Sequence, residues 1–230
     1  MRRELKYFLD RPRVATMLSR LRHLLPSDAH GHPVTGYRVR SAYFDSIFDT
    51  CLEEKLGGKQ RRNKYRLRFY DDTRLVRFEV KQKRGGVNRK LSAKVSMEHA
   101  TAMLQGNFEC LLDRPEPFLQ RTYAHFMRGV YRPKVIVEYQ RQAFLHPAGN
   151  LRVTLDTGLR ASFDADRFFE PNLLLAPVFM AGREILEIKF NQALPVVTRA
   201  MLQLDACEHL AISKYTLCRR LKKARPWEDN

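Results

Sequence analysis

Basic side chains recur at every second residue of the segment KYRLRFY, residues 64–70. Lys64, Arg66 and Arg68 alternate with Tyr65, Leu67 and Phe69, which is typical of a β-strand with one apolar face and one charged face. Successive charges on such a face lie about 7 Å apart and repel one another. Arginine forks bind phosphate oxygens in pairs, so a dense anion would offset this repulsion. The segment therefore points to binding of a phosphate-rich ligand.

Two further segments repeat the pattern and add carboxylates. One face of RFEVKQK (77–83) carries Arg77, Glu79, Lys81 and Lys83, and one face of ILEIKF (185–190) carries Glu187 and Lys189. An ordinary solvent-facing sheet mixes charges of both signs to relieve repulsion between strands. Here isolated glutamates lie among many cations, and such glutamates could hold a divalent metal that bridges phosphate oxygens.

The composition also calls for a polyanionic partner. The chain has 230 residues, and 42 basic against 25 acidic residues give it a formal charge of +17. Nucleic acid, anionic lipid and phosphate-rich small molecules all fit this charge. Four widely spaced cysteines argue against a zinc site or a disulfide framework and favour a reduced, cytoplasmic compartment. The longest uncharged stretch, 171–182, is too short for a membrane span, so we expect a soluble protein.

Hydrophobic periodicity places these charged segments in a mixed fold. Helical patterns occupy 12–25, 96–112 (after a Ser96 cap), 116–128, 195–206 and 213–223. Strand patterns occupy 3–9, 37–45, 52–56, 63–70, 75–83, 88–95, 134–144, 151–157 and 184–190. Short links between most strands predict a mainly antiparallel sheet in an α+β fold. A sheet of about eight strands that closed into a barrel would line its lumen with the charged faces.

Eight segments, in order along the chain, carry a family resemblance. They are ELKYFL (4–9), SAYFD (41–45), YRLRFY (65–70), FEVKQKR (78–84), EYQRQAF (138–144), RVTLDT (152–157), ILEIKF (185–190) and ISKY (212–215). The chain resembles the polyphosphate polymerase (VTC) domain of the triphosphate tunnel metalloenzymes, which are relatives of the CYTH phosphatases. Each motif alone is weak, but eight in order form a specific signal.

The resemblance implies a fold and an activity. The fold is an eight-stranded antiparallel β-barrel, the triphosphate tunnel, with helices packed on its outside and residues 1–230 in a single domain. The activity is a phosphoryl transfer from ATP to a growing inorganic polyphosphate chain, with Mn²⁺ or Mg²⁺ as cofactor. The polyphosphate threads the tunnel.

Site residues carry over from the family motifs. The cations implied for phosphate binding are Lys6, Lys55, Arg66, Arg68, Lys81, Lys94, Arg141, Arg152 and Lys214. Tyr139 and Ser213 are implied as phosphate hydrogen-bond donors. Glu187 is implied as the metal-binding glutamate, and Glu187, Arg66, Arg68 and Lys81 as the catalytic group.

The sequence also departs from the family pattern. Glu4 resembles the acid of the E-x-E-x-K signature and is the second candidate metal ligand, although that signature is incomplete here. Ala211 stands where family members often carry a lysine. No regulatory SPX-like domain or transmembrane segment is expected with this domain. Any membrane-coupled translocation is therefore expected to need a separate membrane-protein partner.

Two alternatives to polymerase activity stay open on the sequence. Water as the phosphate acceptor would make the same site a triphosphatase. A non-catalytic module that binds RNA, polyphosphate or inositol phosphates is the second alternative. RNA binding would call for aromatic stacking residues beside the cations, but Tyr65, Phe69 and Phe78 fall on the opposite strand face. We therefore expect no nucleic acid partner.

Overall fold

The computed structural model describes residues 2–29, 31–146, 150–179, 182–191, 193–194, 196–204, 207 and 209–223. The strands are β1 (Arg2–Leu9), β2 (Tyr37–Ser46), β3 (Arg62–Tyr70), β4 (Asp72–Arg84), β5 (Val87–Val95), β6 (Tyr131–His146), β7 (Leu151–Ser162), β8 (Ala176–Pro177) and β9 (Glu184–Asn191). The helices are α1 (Arg11–Leu24), α2 (Thr50–Leu56), α3 (Met97–Leu104), α4 (Pro117–Arg128), α5 (Val196–Met201) and α6 (Lys214–Lys223), with a 3₁₀ helix at Glu109–Leu111.

The chain forms two compact units. The first unit comprises Met1–Arg38, Tyr139–Leu159 and Pro177–Ser213, and the second comprises Val39–Glu138, Arg160–Ala176 and Lys214–Asn230. Strand neighbours in the first unit follow the order β1-β9-β7-β6, and those in the second follow β6-β2-β3-β4-β5. The pairings of β1 with β9, β9 with β7, β2 with β3, β3 with β4 and β4 with β5 are all antiparallel. The single-domain expectation stays a prediction.

The first unit has its own hydrophobic core beneath α1. The Asp10 side chain caps this helix by accepting a hydrogen bond of 2.9 Å from the Arg13 backbone N–H. Met17 and Leu21, four residues apart, are buried on the face of α1 that joins the core of β1, β7 and β9. The apolar side chains of β9 therefore point into this core, and its charged residues occupy the other face.

The second unit buries the apolar faces of β3 and β4 beneath α3 and α4. Tyr65, Phe69 and Phe78 are all buried in this core, where Tyr65 and Phe78 both pack edge-on against Phe126 of α4. These rings therefore offer no surface on which a nucleic acid base could stack. Their burial also fixes the opposite, charged faces of the two strands away from the core.

A buried ion pair holds a long connection in the second unit. Arg40 donates from Nε to Glu138 Oε2 at 2.6 Å, and its Nη1 donates to the backbone oxygens of Phe168 and Glu170. Arg160 donates to the other oxygen of Glu138 at 2.7 Å. Because Arg40 and Glu138 are almost inaccessible, loss of either partner would leave a buried charge and cost about 3–5 kcal/mol. The pair thus ties the segment after β7 to β2 and β6.

Three element predictions need correction. The helix predicted over 195–206 ends at Met201, and residues 195, 205 and 206 lie outside the described residues. Residues 52–56 were predicted as a strand, but they lie in α2, because the Asp45 carboxylate accepts the backbone N–H groups of Cys51 and Leu52 and so caps a helix. The helix predicted over 96–112 starts after Ser96 as expected but ends at Leu104. Gly106, with φ of +87°, then turns the chain. Among the described residues, no helix combines the length and apolar character needed to cross a membrane.

Candidate active site

Cross-strand register aligns the charged residues of β3, β4 and β5 on one face of the second unit's sheet. Residues directly opposite one another form four rows along β3 and β4, pairing Arg62 with Lys83, Lys64 with Lys81, Arg66 with Glu79 and Arg68 with Arg77. On β5, Lys90 lies opposite Lys81, and Lys94 lies opposite Arg77. We call this surface the cation face. Directly opposed like charges destabilise a sheet, so this arrangement favours an anionic ligand.

Glu79 lies within the cation face and organises two of its cations. Its Oε2 accepts from Arg66 Nε at 2.8 Å and contacts Arg66 Nη2 at 2.6 Å. Its Oε1 accepts from Lys90 Nζ at 3.0 Å. Because Glu79 is 1% exposed, its carboxylate is screened from water, which strengthens its contacts with Arg66. The contact with Lys90 is weaker, because the Lys90 side chain is 56% exposed.

Tyr43 contacts the same arginine from the neighbouring strand. Arg66 Nη1 donates to the Tyr43 hydroxyl at 3.0 Å, and Tyr43 lies opposite Arg66 in the register of β2 and β3. The Tyr43 ring stacks on Tyr215 of α6 at 5.2 Å between ring centroids. Tyr215 in turn donates to Asp45 Oδ2 at 2.5 Å. The first turns of α2 and α6 thus support the tyrosine that contacts Arg66.

Arg68, the next cation on β3, is buried and held by polar side chains. Its Nε donates to Ser41 Oγ at 2.8 Å, and its guanidinium carbon lies 5.8 Å from the centroid of the Tyr70 ring. A guanidinium fixed in this way keeps its orientation before a ligand arrives.

Local charges shift two pKa values on this face. Burial acts to raise the pKa of Glu79, but the charges of Arg66, Arg68 and Lys90 outweigh burial and lower that pKa to about 2. Burial likewise acts to raise the pKa of the Tyr43 hydroxyl, yet the charges of Arg66, Arg68 and Lys214 leave it below its ordinary value. Both shifts reflect an excess of positive potential.

The Glu79 carboxylate is expected to contribute stability that is lost in acid. Its pKa falls from 4.5 to about 2 on folding, so the ionised group stabilises the folded state above pH 4.5. This contribution to stability declines as the pH drops from 4.5 towards about 2. Urea unfolding should therefore show a constant stability difference between the parent and Glu79→Gln above about pH 5, and a shrinking one below it. A difference that stayed constant down to about pH 3 would contradict the assignment.

Acidic and basic side chains also alternate on one face of β1, β9 and β7 in the first unit. Lys6 lies opposite Glu187, and Glu4 lies opposite Lys189. Lys6 Nζ lies 2.8 Å from Glu4 Oε1 and 3.4 Å from Glu187 Oε2, and it donates to the Ile212 carbonyl oxygen at 3.2 Å. Lys189 Nζ also contacts Glu187 Oε1. Two carboxylates and one carbonyl thus surround a single ammonium group.

The oxygen atoms around Lys6 fit a hard divalent cation. Among the described residues, no group of three or more His, Cys, Asp or Glu side chains could hold a metal by itself. Mg²⁺ is commonly held by one or two carboxylates together with substrate phosphates, which matches Glu4 and Glu187. Thr154, directly opposite Glu187, is 2% exposed, and its hydroxyl has no hydrogen-bond partner among the described residues. The donor set is therefore all oxygen, as Mn²⁺ and Mg²⁺ prefer.

Arg141 and Arg152, the two arginines of the predicted phosphate-binding set in the first unit, are already paired with carboxylates. Arg152 Nη2 lies 3.0 Å from Asp28 Oδ2 and 3.2 Å from the Tyr37 hydroxyl. Arg141 binds Asp156 in a bidentate pair at 2.6 and 2.7 Å, with its guanidinium carbon 5.2 Å from the Tyr139 ring centroid. Burial acts to lower the pKa of Arg141, but Asp156 raises it well above its usual value. Arg141 therefore stays charged.

The predicted site residues fall into groups within each unit. In the second unit, Arg66, Arg68, Lys81 and Lys94 share the cation face, Lys55 lies on α2 and Lys214 begins α6. In the first unit, Glu4, Lys6, Arg152 and Glu187 share one face, Ser213 is buried, and Ala211 is exposed. Their roles in binding and catalysis stay predictions.

Sequence reasoning missed several residues that the structure places in these groups. Tyr43 and Thr154 were not assigned a role, and Glu79 was considered only as a glutamate that could hold a metal, whereas the structure pairs it with Arg66 and Lys90. For Glu79 and Lys90, the signal was their even spacing with Lys81 and Lys94 along β4 and β5. Tyr43 lies next to Arg66 only because SAYFD pairs with YRLRFY in the sheet, and the sequence does not reveal that pairing.

A sequence profile of the VTC domain matches residues 1–222. The chain belongs to the VTC domain family. The resemblance stated from the eight motifs is therefore confirmed, and the match covers every site residue assigned above. No curated protein matches this VTC domain significantly by sequence.

Solved structures share the fold of this VTC domain at low sequence identity. A putative adenylate cyclase from Bacillus halodurans superposes with a TM-score of 0.56 at 13% identity, covering 91% of this chain and 92% of its own. A putative adenylyl cyclase from Hippeastrum, described as having a dominant triphosphatase activity, gives 0.57 at 14%, covering 96% of each chain. A putative adenylate cyclase from Vibrio parahaemolyticus gives 0.51 at 13%, covering 94% and 96%.

At these identities the likeness shows the fold alone. The predicted fold class, an antiparallel α+β fold of the triphosphate tunnel type, is thereby confirmed.

Proposed function

We propose that this VTC domain transfers the γ-phosphoryl group of ATP to the end of an inorganic polyphosphate chain. The observation that carries the proposal is the length of the cation face. Its rows run from Arg62 to Arg68 along β3, which corresponds to about 20 Å of extended strand. A triphosphate is far shorter than this, so basic rows extend beyond what one ATP can occupy. A long phosphate polymer would contact every row.

The protein's own side chains would act chiefly by positioning and charge compensation. Phosphoryl transfer involves little covalent chemistry by the protein, and the charge spread over the transferred group dominates the barrier. Arg66, Arg68 and Lys81 would bind the phosphate oxygens and offset that charge. An oxygen of the acceptor chain's terminal phosphate would bond to the γ-phosphorus, while the γ-phosphorus bond to the β–γ bridging oxygen breaks and releases ADP.

Glu187, with Glu4 and the neighbouring Thr154 hydroxyl, would hold a divalent metal. When bound, Mn²⁺ or Mg²⁺ would draw charge from the phosphate oxygens and orient them. Lys6 and Lys189 already neutralise Glu187 in the described structure. Binding of the metal would therefore release these ammonium groups to contact phosphate.

A triphosphatase is the second candidate function. The Hippeastrum protein that shares this fold is described as having a dominant triphosphatase activity. Water in place of the polyphosphate acceptor would give this reaction at the same phosphate-binding side chains. The deciding experiment incubates the purified protein with ATP and Mn²⁺ and resolves the products. Long chains identify a polymerase, orthophosphate alone identifies a triphosphatase, and no turnover with retained binding identifies a polyanion-binding module.

The length of the cation face predicts that affinity rises with chain length. Lys83 lies in the row furthest from Arg68, so Lys83→Ala should weaken binding of long polyphosphate while leaving inorganic triphosphate binding unchanged. A fully formed charge-assisted contact contributes about 1.5–3 kcal/mol to the binding free energy, and this is the loss expected for Lys83→Ala. Isothermal titration with both ligands measures the difference. Arg74→Ala, which removes an exposed charge from the same strand outside the cation face, is the matched control.

Equal affinity of the parent for triphosphate and for long chains would contradict the proposal. That result would mean that the outer rows do not contact the ligand, and it would favour the triphosphatase.

A further inference from the structure

The Arg66 guanidinium is held by two side chains that do not themselves belong to the predicted phosphate-binding set. Glu79 engages Nε and Nη2, and the Tyr43 hydroxyl engages Nη1. A guanidinium has five N–H groups in one plane. Contacts at all three nitrogens, from strands on either side of β3, fix both the position and the tilt of that plane.

The contacts of Arg66 with Glu79 and Tyr43 are not needed to complete the hydrophobic core. The cation face lies opposite the apolar face of β3, so Arg66 could extend into solvent without leaving a cavity in the core. Instead a nearly inaccessible carboxylate is placed among cations on the face where we propose that phosphate binds. A carboxylate there repels phosphate, and this cost must be offset by an effect of Glu79 on the cations that it contacts.

An arginine binds phosphate in a bidentate manner only when its guanidinium plane is correctly oriented. An unrestrained arginine side chain loses much rotational freedom on binding, whereas a preorganised fork loses less. Tyr43 is itself fixed by stacking on Tyr215, and Tyr215 is fixed by its hydrogen bond to Asp45. The restraint on Arg66 is therefore anchored in β2 and α6 of the second unit.

We propose that Glu79 and Tyr43 are positioning residues that jointly orient the Arg66 guanidinium for phosphate binding. This inference rests on the proposed function, because it assigns Arg66 to the bound phosphate. Glu79 and Tyr43 act through Arg66 and not by contact with the ligand. Their substitution should therefore weaken phosphate binding only while Arg66 is present.

The test measures the affinity of the whole chain for inorganic triphosphate by isothermal titration. The variants are Glu79→Gln, which keeps the shape but removes the charge, Tyr43→Phe, which keeps the stacked ring, and Arg66→Ala. Each of the first two is also combined with Arg66→Ala. Glu109→Gln on the 3₁₀ helix and Tyr123→Phe on α4 are the matched controls, and melting temperatures report folding.

We expect Glu79→Gln and Tyr43→Phe each to weaken triphosphate affinity about tenfold in the parent. Beside Arg66→Ala, Tyr43→Phe should have no further effect, and Glu79→Gln should recover part of the affinity because it removes the unpaired carboxylate. The ¹⁵N–¹H resonance of Arg66 Nε should also lose its protection from exchange in Glu79→Gln. If Glu79→Gln fails to fold, Tyr43→Phe carries the test, because it removes a single oxygen atom.

Two results overturn the inference and are distinct from failure of the proposed function. Variants that bind like the parent, while Arg66→Ala binds weakly, show that the arginine needs no positioning. Effects that persist undiminished beside Arg66→Ala show that Glu79 or Tyr43 acts by another route. If the parent itself does not bind triphosphate, the proposed function fails instead.

Discussion

Replacement of Glu187 by glutamine is expected to abolish metal-dependent turnover while leaving ATP binding largely intact. Glutamine keeps the shape of the side chain but removes the charge that a divalent cation requires. Loss of groups that merely support metal ligands already lowers activity or metal affinity about 10–100-fold, so loss of a ligand should exceed this. Turnover of ATP across a series of Mn²⁺ concentrations, with ATP affinity from isothermal titration, measures both parts of the expectation.

Glu184→Gln provides a matched control on the same strand. Glu184 accepts from the Gly158 backbone N–H at 2.8 Å and lies three residues before Glu187, so it tests for general effects on β9. Turnover of Glu187→Gln equal to that of the parent would reject the metal assignment. Equal loss in both variants would point to damage to the strand.

Replacement of Arg66 or Lys81 by alanine is expected to weaken triphosphate binding markedly. Each side chain would contribute charge-assisted hydrogen bonds to phosphate, and each lost bond costs about 1.5–3 kcal/mol. This range corresponds to a loss of affinity between about 10-fold and 150-fold at 25 °C. For Arg66→Ala part of the loss would come from the unpaired Glu79 carboxylate, which repels phosphate once its arginine is gone. Isothermal titration with inorganic triphosphate at constant ionic strength measures the effect.

The ionic strength must be held constant because exposed charges are screened by salt. Arg121→Ala, an exposed charge on α4, controls for the change in net charge alone. If both site variants bind triphosphate as tightly as the parent and Arg121→Ala, then β3 and β4 do not line the binding site.

Alternation along single strands made much of the fold predictable from the sequence. KYRLRFY and RFEVKQK have period two, and both are strands whose apolar residues are buried. The helix at Lys214–Lys223 also starts and ends close to where the pattern placed it. Hydrophobic periodicity predicts these elements because one face of each must be buried away from water.

The segment 52–56 could not be predicted because its decisive contact is not local. Five residues with an apolar side chain at each end, Leu52 and Leu56, fit a strand or a helix equally well. The Asp45 carboxylate, several residues earlier, selects the helix by accepting the N–H groups of its first turn. Nothing within the segment itself carries this information.

The candidate site was predictable in its residue types but not in its pairings. The spacing of Arg66 and Glu79 places each on a charged face, but only the register of β3 and β4 sets them opposite one another. Arg141 was expected as a phosphate ligand, yet Asp156 already binds it in a bidentate pair, and those residues lie on separate strands. A role for Tyr43 likewise depends on stacking with a residue 172 positions away, since Tyr215 lies on α6.

The in-register lysines Lys64, Lys81 and Lys90 have a consequence for how this protein behaves in solution. Glu79 offsets part of this charge through its contact with Lys90, and the positive potential that remains attracts small anions from the medium. The ligand-free state therefore carries a loose atmosphere of buffer counterions. A polyphosphate chain must displace that atmosphere, and the entropy of the released ions becomes part of its binding free energy. Apparent affinities in phosphate or sulfate buffers will therefore be lower than those in chloride.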